Sequence, residues 1–443
     1  MKKISFFIIC CCLFSILNAQ TKQWSLEECI QHAIENNISI KQIELQKETA
    51  EINLNTSQMS RLPNLNAGVD QRFSFGRTST QTGLYENLTQ SNTSLSLSSS
   101  TPLFTGFRIS NEIARNKLEL NAATENLEKA KEDLSLNIAS LFLQVLFNKE
   151  LLKINQEQLG LSQSQIERTR VLVDVGKVPM SQLYDIESQV AKDEVSVIQA
   201  ENNLNLSFLD LIQSLELEQS TEFDIYAPEV GDVIAEYMGS VQPTHIVFDN
   251  AVNIKPAIKE QQYRLGSAEK SLNIAKSGYL PTLNLGLGYG TNYFYLYNSA
   301  KNISFSEQFN NNRGEYINLN LSIPIFNRFA VRNQVRSAKL NIENQQLMLD
   351  NTKKTLYKEI QTAYLNATAA QEKYRASDKA VKASSESFKY AQERYDVGKS
   401  SVFEFNEAKV RFIQSQSEQI QAKYDYIFRT KILDFYNGIP IQL

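Results

Sequence analysis

Two hydrophobic periods share this chain. From Ile113 onward, apolar residues recur every seven positions: Ile113, Leu120, Leu127, Leu134 and Leu141, overlapped by Ile138, Val145, Leu152, Leu159, Ile166 and Val173. A second long stripe runs Val335, Ile342, Leu349, Leu356 and Ala363, overlapped by Ile360, Ala367, Tyr374, Val381, Phe388 and Tyr395. Leu183, Val190, Val197, Leu204 and Leu211 continue the spacing after the first long stripe. A sustained seven-residue repeat predicts helices packed as coiled coil rather than a rounded globule. From Asn111 to about Val173 there is no proline and one interior glycine, Gly160. That predicts one helix of about 95 Å at 1.5 Å per residue.

The other period is two. Leu65, Ala67, Val69, Phe73 and Phe75 alternate with Asn66, Gly68, Asp70, Arg72 and Ser74. Leu95, Leu97 and Leu103 oppose Ser94, Ser96, Ser98 and Ser100. Later, Leu283, Leu285, Leu287 and Tyr289 alternate with Asn284, Gly286, Gly288 and Gly290, and Ile317, Leu319, Leu321 and Ile323 with Asn318, Asn320 and Ser322. This is the signature of strands with one apolar face. Strands of roughly ten residues are long enough to cross a bilayer when tilted. The stretches Gly76 to Asn92 and Asn292 to Gly314, polar with several aromatics, suit exposed loops.

These patterns occur twice. Asp-Val-Gly-Lys appears around Gly176 and again around Gly398, 222 positions on, and Pro102-Leu103-Phe104 matches Pro324-Ile325-Phe326 at the same spacing. Leu62-Pro63-Asn64-Leu65 matches Leu280-Pro281-Thr282-Leu283, and Ala33 to Ile40 matches Ala251 to Ile258, both 218 apart. The chain is therefore a tandem duplication with a period too long for an ordinary solenoid. Each unit reads as a helix (about Leu26 to Ser60, about Thr244 to Ser277), two strands, one very long helix, a break at Gly-Lys, and a returning helix. The expected boundaries are 20–217 for the first repeat, 218–243 for a connector around the middle of the helical part, and 244–443 for the second repeat.

Composition narrows the class. The 443 residues carry a net charge of −4 with the charges interspersed, so nothing recommends a nucleic-acid partner. Mean hydropathy is −0.33, and beyond the N-terminus no run of 18 apolar residues predicts a membrane helix. Lys2 and Lys3 followed by an apolar run to Leu17 and by Ala19 read as a secretory signal peptide over 1–19. Cys10, Cys11 and Cys12 fall inside it, leaving Cys29 alone and no internal disulfide. His32 and His245 are not repeat-equivalent, and no P-loop, Gly-x-Ser-x-Gly or His-Glu-x-x-His pattern is present, so no catalytic, metal or cofactor site is expected.

Four strands with an outward apolar face cannot close a barrel alone. Their edges would leave backbone N–H and C=O groups unpaired in lipid, at several kcal/mol each. Other copies must complete the sheet, and three copies give twelve strands, within the usual barrel range. The fold expected is thus mixed and mainly α: a trimeric twelve-stranded transmembrane barrel, four strands per chain, continued by a coiled-coil helical tunnel. Phe104, Phe107, Phe326 and Phe329 beside Pro102 and Pro324 suit a membrane-interface belt; simple packing at a domain corner is the plainer account.

The duplicated unit, Leu-Pro-x-Leu before the first strand of each pair, Pro-aliphatic-Phe after the second, and the Val-Gly-x turn before an acidic helix start resemble the TolC-like outer-membrane efflux family over nearly the whole mature chain. That resemblance implies a homotrimer in the outer membrane of a Gram-negative bacterium, with its helices in the periplasm. It implies an exit duct for efflux or type I secretion, reached through a periplasmic adaptor and an inner-membrane transporter of the RND, ABC or MFS type. It also places the turns at the tunnel mouth. Gly176, Lys177 and Val178, with Gly398, Lys399 and Ser400, become candidates for adaptor contact, and Tyr395, Asp396 and Asp174 candidates for the gate. Glu404 and Glu407, three apart and so on one helix face, match carboxylates that project into the entrance. In three copies they would form acidic rings that favour cations. Otherwise they are two solvated glutamates, and the turn residues only turn residues. Ser400 and Gln182 stand where the family's best-studied gate has Arg and Asp, so the closing bonds must differ; Asp174, Asp396, Lys177 and Lys399 could supply ion pairs instead. A soluble periplasmic coiled-coil adaptor or scaffold would explain the seven-residue stripes but not the four strands, and a general porin would leave the long helices without purpose.

Overall fold

The computed structural model describes residues 23–79, 85–87, 89–218, 223–227, 243–297 and 302–442. The expected leader and most of the expected connector lie outside them. The first half of the chain forms β1 (Gln23–Trp24), α1 (Leu26–Asn36), α2 (Ile38–Met59), β2 (Asn66–Ser74), β3 (Arg77–Ser79), β4 (Tyr85–Asn87), β5 (Gln90–Phe104), α3 (Arg108–Asp174) and α4 (Met180–Ser214). Then come β6 (Asp224–Ile225), α5 (Thr244–Ile254), α6 (Pro256–Ser277), β7 (Thr282–Leu296), α7 (Phe305–Asn311), β8 (Gly314–Ser322), α8 (Ala330–Asp396) and α9 (Val402–Tyr436). The long helices of the two halves match in length: α3 and α8 are 67 residues each, α4 and α9 are 35.

The helix expected at the head of each repeat is two helices, not one. The break falls at Asn37 and at Lys255, both extended, with ψ 129° and 127°. These positions are repeat-equivalent, but the causes differ. Pro256 biases Lys255 away from helical geometry and suits the first position of a new helix. In the first repeat the Asn37 side chain does the work, its Oδ1 accepting from Ser39 N at 2.9 Å. At the start of α1, Ser25 and Glu28 form a reciprocal capping box.

The described residues fall into two compact units. One comprises the chain up to Leu45 with Asn126–Lys259 and Thr352–Leu443; the other, Gln46–Glu125 and Glu260–Asn351. The first unit is helical and owns the main core, where Cys29 and Ala33 of α1 meet Ile138, Phe142 and Val145 of α3, Leu211 of α4 and Tyr426 and Ile427 of α9. Of the seven-residue stripes, Ile138, Val145 and Leu211 enter this core, and Ile360 and Ala367 are also fully buried. The N-terminal strand β1 pairs in parallel with β6, and Asp224 there accepts from Gln23 Nε2 at 2.9 Å and from Lys149.

The second unit carries the sheet, in the antiparallel order β2-β5-β7-β8. Its register sets Val69 opposite Leu95, Leu97 opposite Tyr289, and Leu287 opposite Ile317, so the odd-numbered apolar residues share one face. Asp70, Ser94, Ser96, Gly288 and Asn318 share the other. The strands are unequal, β5 and β7 running 15 residues and β2 and β8 nine. Pro102 does not end β5. It pairs with Asn284, the register slips just after it, and Phe104 rather than Leu103 comes opposite Leu283. A bulge is where a sheet tolerates proline, and this one moves the expected apolar Leu103 out of the alternation. The stretches expected to be loops also hold the short β3–β4 hairpin and α7.

Candidate functional site

Both hairpin turns are built alike. Gly176 has φ +69° and Gly398 φ +71°, a conformation open to glycine and strained for other residues. Gly176 N donates to Val173 O at 2.9 Å and Lys177 N to Leu172 O at 2.8 Å; Gly398 N to Tyr395 O at 3.0 Å and Lys399 N to Arg394 O at 2.8 Å. This double bond pattern closes the last helical turn and reverses the chain. The returning helices start differently. Pro179 precedes α4 without a side-chain cap, whereas Ser401 caps α9 by accepting from Glu404 N at 3.2 Å.

Among the turn candidates, Asp174, Gly176, Lys177, Gly398 and Lys399 are exposed, while Val178 and Ser400 are half-buried. Tyr395 packs its ring 5.0 Å from Phe405, which is fully buried. Asp396 does not pair with either turn lysine. It pairs with Arg168 of the other hairpin, whose Nη2 also donates to the Asp396 carbonyl at 2.9 Å. Glu404 accepts from Ser400 Oγ at 2.5 Å and lies 3.8 Å from Arg394 Nη2; Arg394 also donates to Lys399 O at 3.3 Å. Glu407 lies 3.6 Å from Arg411. Both carboxylates are more than half exposed. The candidate residues thus group into a hairpin-to-hairpin pair at Asp396 and an α9 face at Glu404 and Glu407.

Three arginines escaped the sequence reading. Arg411 had a signal, four positions after Glu407 on one helix face. Arg394 and Arg168 reach their partners across turns and between hairpins, and no local pattern marks them. A buried cluster escaped too. Lys409 donates to Asp193 Oδ2 at 3.2 Å and to Ser162, which itself donates to Asp193; Gln189 donates to the other carboxylate oxygen at 2.7 Å. Burial pulls the Lys409 ammonium below its usual range, and Asp193 opposes that.

The sheet is the second candidate surface. Val69, Ile317, Leu319 and Leu321 on its odd face are each more than half exposed. So large a contiguous apolar surface marks contact with lipid or protein. Where β5 and β8 lead into α3 and α8, Gly106 and Phe107, and at the equivalent places Arg328 and Phe329, are left-handed with φ 53° to 65°. In each repeat the two phenylalanine rings meet edge-on, Phe104–Phe107 at 5.3 Å and Phe326–Phe329 at 5.6 Å. Phe107, Phe326 and Phe329 remain exposed. No helix among the described residues is long and apolar enough to cross a membrane, and none of them form a group of His, Cys, Asp and Glu that could hold a metal ion.

Comparison with known proteins identifies the family and the fold. A family model described as outer membrane efflux protein matches residues 29–215 and again 247–433. The outer membrane protein TolC of Salmonella enteritidis is 22% identical over 407 residues, which cover 91% of this chain and 79% of that one. Among solved structures, CusC superposes with a TM-score of 0.78 at 16% identity, covering 95% of this chain and 93% of CusC. The CmeC outer membrane channel of Campylobacter jejuni gives 0.76 at 17% identity, covering 96% and 90%. These structures share the fold.

Proposed function

The chain belongs to the outer membrane efflux protein family, a family of channels rather than enzymes, and we propose that three copies close a twelve-stranded barrel and form the exit duct of a tripartite efflux or secretion system. The observation that carries the trimer is the sheet. Strands β2 and β8 each pair on one side only among the described residues, and the apolar face lies open. In lipid those edges need partners. Two further copies supply them, and the Ser, Asn and Gly face then lines a wet lumen. The expected repeats, 20–217 and 244–443, divide this work equally, each giving two strands and one helical hairpin.

The turns at Gly176, Lys177 and Val178 and at Gly398, Lys399 and Ser400 are the surfaces offered to a periplasmic adaptor, with an inner-membrane transporter of RND, ABC or MFS type behind it. Glu404 and Glu407 put carboxylates at the entrance. Tyr395, Asp396 and Asp174 form the region that closes it, with Arg168 holding Asp396. Support comes from the exposure of the turns and from the cross-hairpin pair.

The test is extraction and reconstitution. The protein should need detergent, have the mass of three chains by light scattering and form pores in planar bilayers. A water-soluble single subunit without a pore would overturn the proposal and favour a periplasmic adaptor or scaffold.

A further inference from the structure

The acidic entrance is not acidic in sum. Glu404 and Glu407 were expected to form two rings of negative charge. In the structure each has an arginine of its own chain beside it: Arg394 at 3.8 Å from Glu404 and Arg411 at 3.6 Å from Glu407. All four side chains are more than half exposed, so the two guanidiniums face water as the two carboxylates do. Pairs this exposed contribute little to stability, about 0–1 kcal/mol each. Their effect on a pore is different. A ring of charge selects ions through the field it sets up across a narrow passage, and that field depends on the sum.

Resting on the proposed placement of Glu404 and Glu407 at the entrance, we infer that Arg394 and Arg411 are selectivity-determining residues that cancel the acidic rings, so that the duct admits anionic and zwitterionic solutes as readily as cations. Three copies bring two carboxylates and two guanidiniums each, and the sum is zero. Geometry holds the compensation in place. Glu407 and Arg411 are one helical turn apart in the favourable order, acid before base. Arg394 is anchored at its far side by the Lys399 carbonyl at 3.3 Å, and Glu404 by Ser400 at 2.5 Å. The other charges of this turn do not restore a negative sum: Asp396 is taken by Arg168, and the exposed Glu393 is matched by Lys399, an exposed cation.

The test is the potassium-to-chloride permeability ratio, from reversal potentials of single channels in a KCl gradient. Wild type should lie near unity. R394Q/R411Q should become cation-selective severalfold, E404Q/E407Q should shift towards chloride, and R394K/R411K should match wild type. If wild type is strongly cation-selective, the glutamine exchange at Glu404 and Glu407 abolishes that preference, and R394Q/R411Q changes nothing, the inference is overturned while the entrance placement stands. If neither double variant moves the ratio in channels of normal conductance, the entrance placement itself falls and the inference with it.

Discussion

The Lys409 ammonium sits 3.2 Å from the Asp193 carboxylate, with 1% of its side chain exposed. Ser162 bridges the two, so α3, α4 and α9 meet at one buried charge pair. The other repeat makes the equivalent contact without charge. Ser384 and Ser415 stand 222 positions beyond Ser162 and Asp193, and their hydroxyls lie 2.5 Å apart in a neutral version of the same contact. Removing one member of a buried pair strands the other, at about 3–5 kcal/mol, whereas removing both is often nearly neutral. K409M should therefore lower stability by about that much. K409M/D193S, which recreates the serine pair, should recover most of it. Denaturation in detergent measures both; equal losses for the single and double variants would refute the coupling.

Arg168 and Asp396 join the two hairpins near their turns through side chain and backbone together. Asp396→Asn removes the charge but leaves the carbonyl bond; Arg168→Gln removes both. Both side chains are about half exposed, so stability should change by less than about 1 kcal/mol. If the pair helps hold the entrance closed, single-channel conductance should rise, and more for R168Q than for D396N. Unaltered conductance in both would remove the pair from the gate.

Much of this was readable from residue order alone. Long helices announce themselves because one side of each must be apolar every seven positions, and alternating strands because a sheet in lipid has one apolar face. The duplication then fixed which turns correspond. What stayed hidden depends on contacts without a sequence period. Asn37 and Pro256 break equivalent helices by unrelated chemistry: the proline was a visible signal in the second repeat, whereas nothing in the residue order around Asn37 marked the break. The slip after Pro102 needs a partner strand to be seen at all. Lys409 lies only two residues after Glu407 yet is buried, because the inward side of α9 meets Asp193.

Glycines at two kinds of position should respond oppositely to alanine. Gly176 and Gly398 are left-handed with open space around an added Cβ, so only backbone strain opposes substitution, about 1–2 kcal/mol. Gly160 lies inside α3 with the same open space and ordinary helical geometry, and alanine there should stabilise by roughly 0.5–1 kcal/mol. Helix unfolding followed by circular dichroism should rank G160A above wild type and G176A and G398A below it.

Cys29 should make the protein sensitive to alkali. Its thiol is wholly buried, and burial first, then Glu28 and Glu27, pushes it from 9.0 up to about 12. Unfolding releases its proton at lower pH, so this stabilisation is complete below pH 9 and is lost as pH rises from 9 through 12. Tyr424, which donates to Glu150 at 2.7 Å, is raised in the same sense by burial. Cys29→Ala should flatten the fall in stability between pH 9 and 12 relative to wild type, whatever it does at pH 7. Parallel curves would show that the thiol does not titrate on unfolding.

Arg328 occupies the place that Gly106 holds in the other repeat. Gly106 is required: a Cβ there would come within 2.8 Å of both Leu280 Cβ and Ser277 O. Arg328 keeps the same left-handed backbone, φ 53° against 60°, with a side chain attached. A non-glycine residue held there is strained by roughly 1–2 kcal/mol. Glycine also loosens the unfolded chain, which offsets about 0.4–1 kcal/mol of the relief. R328G should thus stabilise by a few tenths to about 1 kcal/mol, measured as a shift in thermal midpoint in detergent. G106A should destabilise by more than the strain alone, because contact with Leu280 and the Ser277 carbonyl adds to it. If R328G instead destabilises, the guanidinium makes a contact at the strand-to-helix passage that outweighs the strain, and lipid headgroups become the partner to test, by repeating the comparison in vesicles with and without anionic lipid.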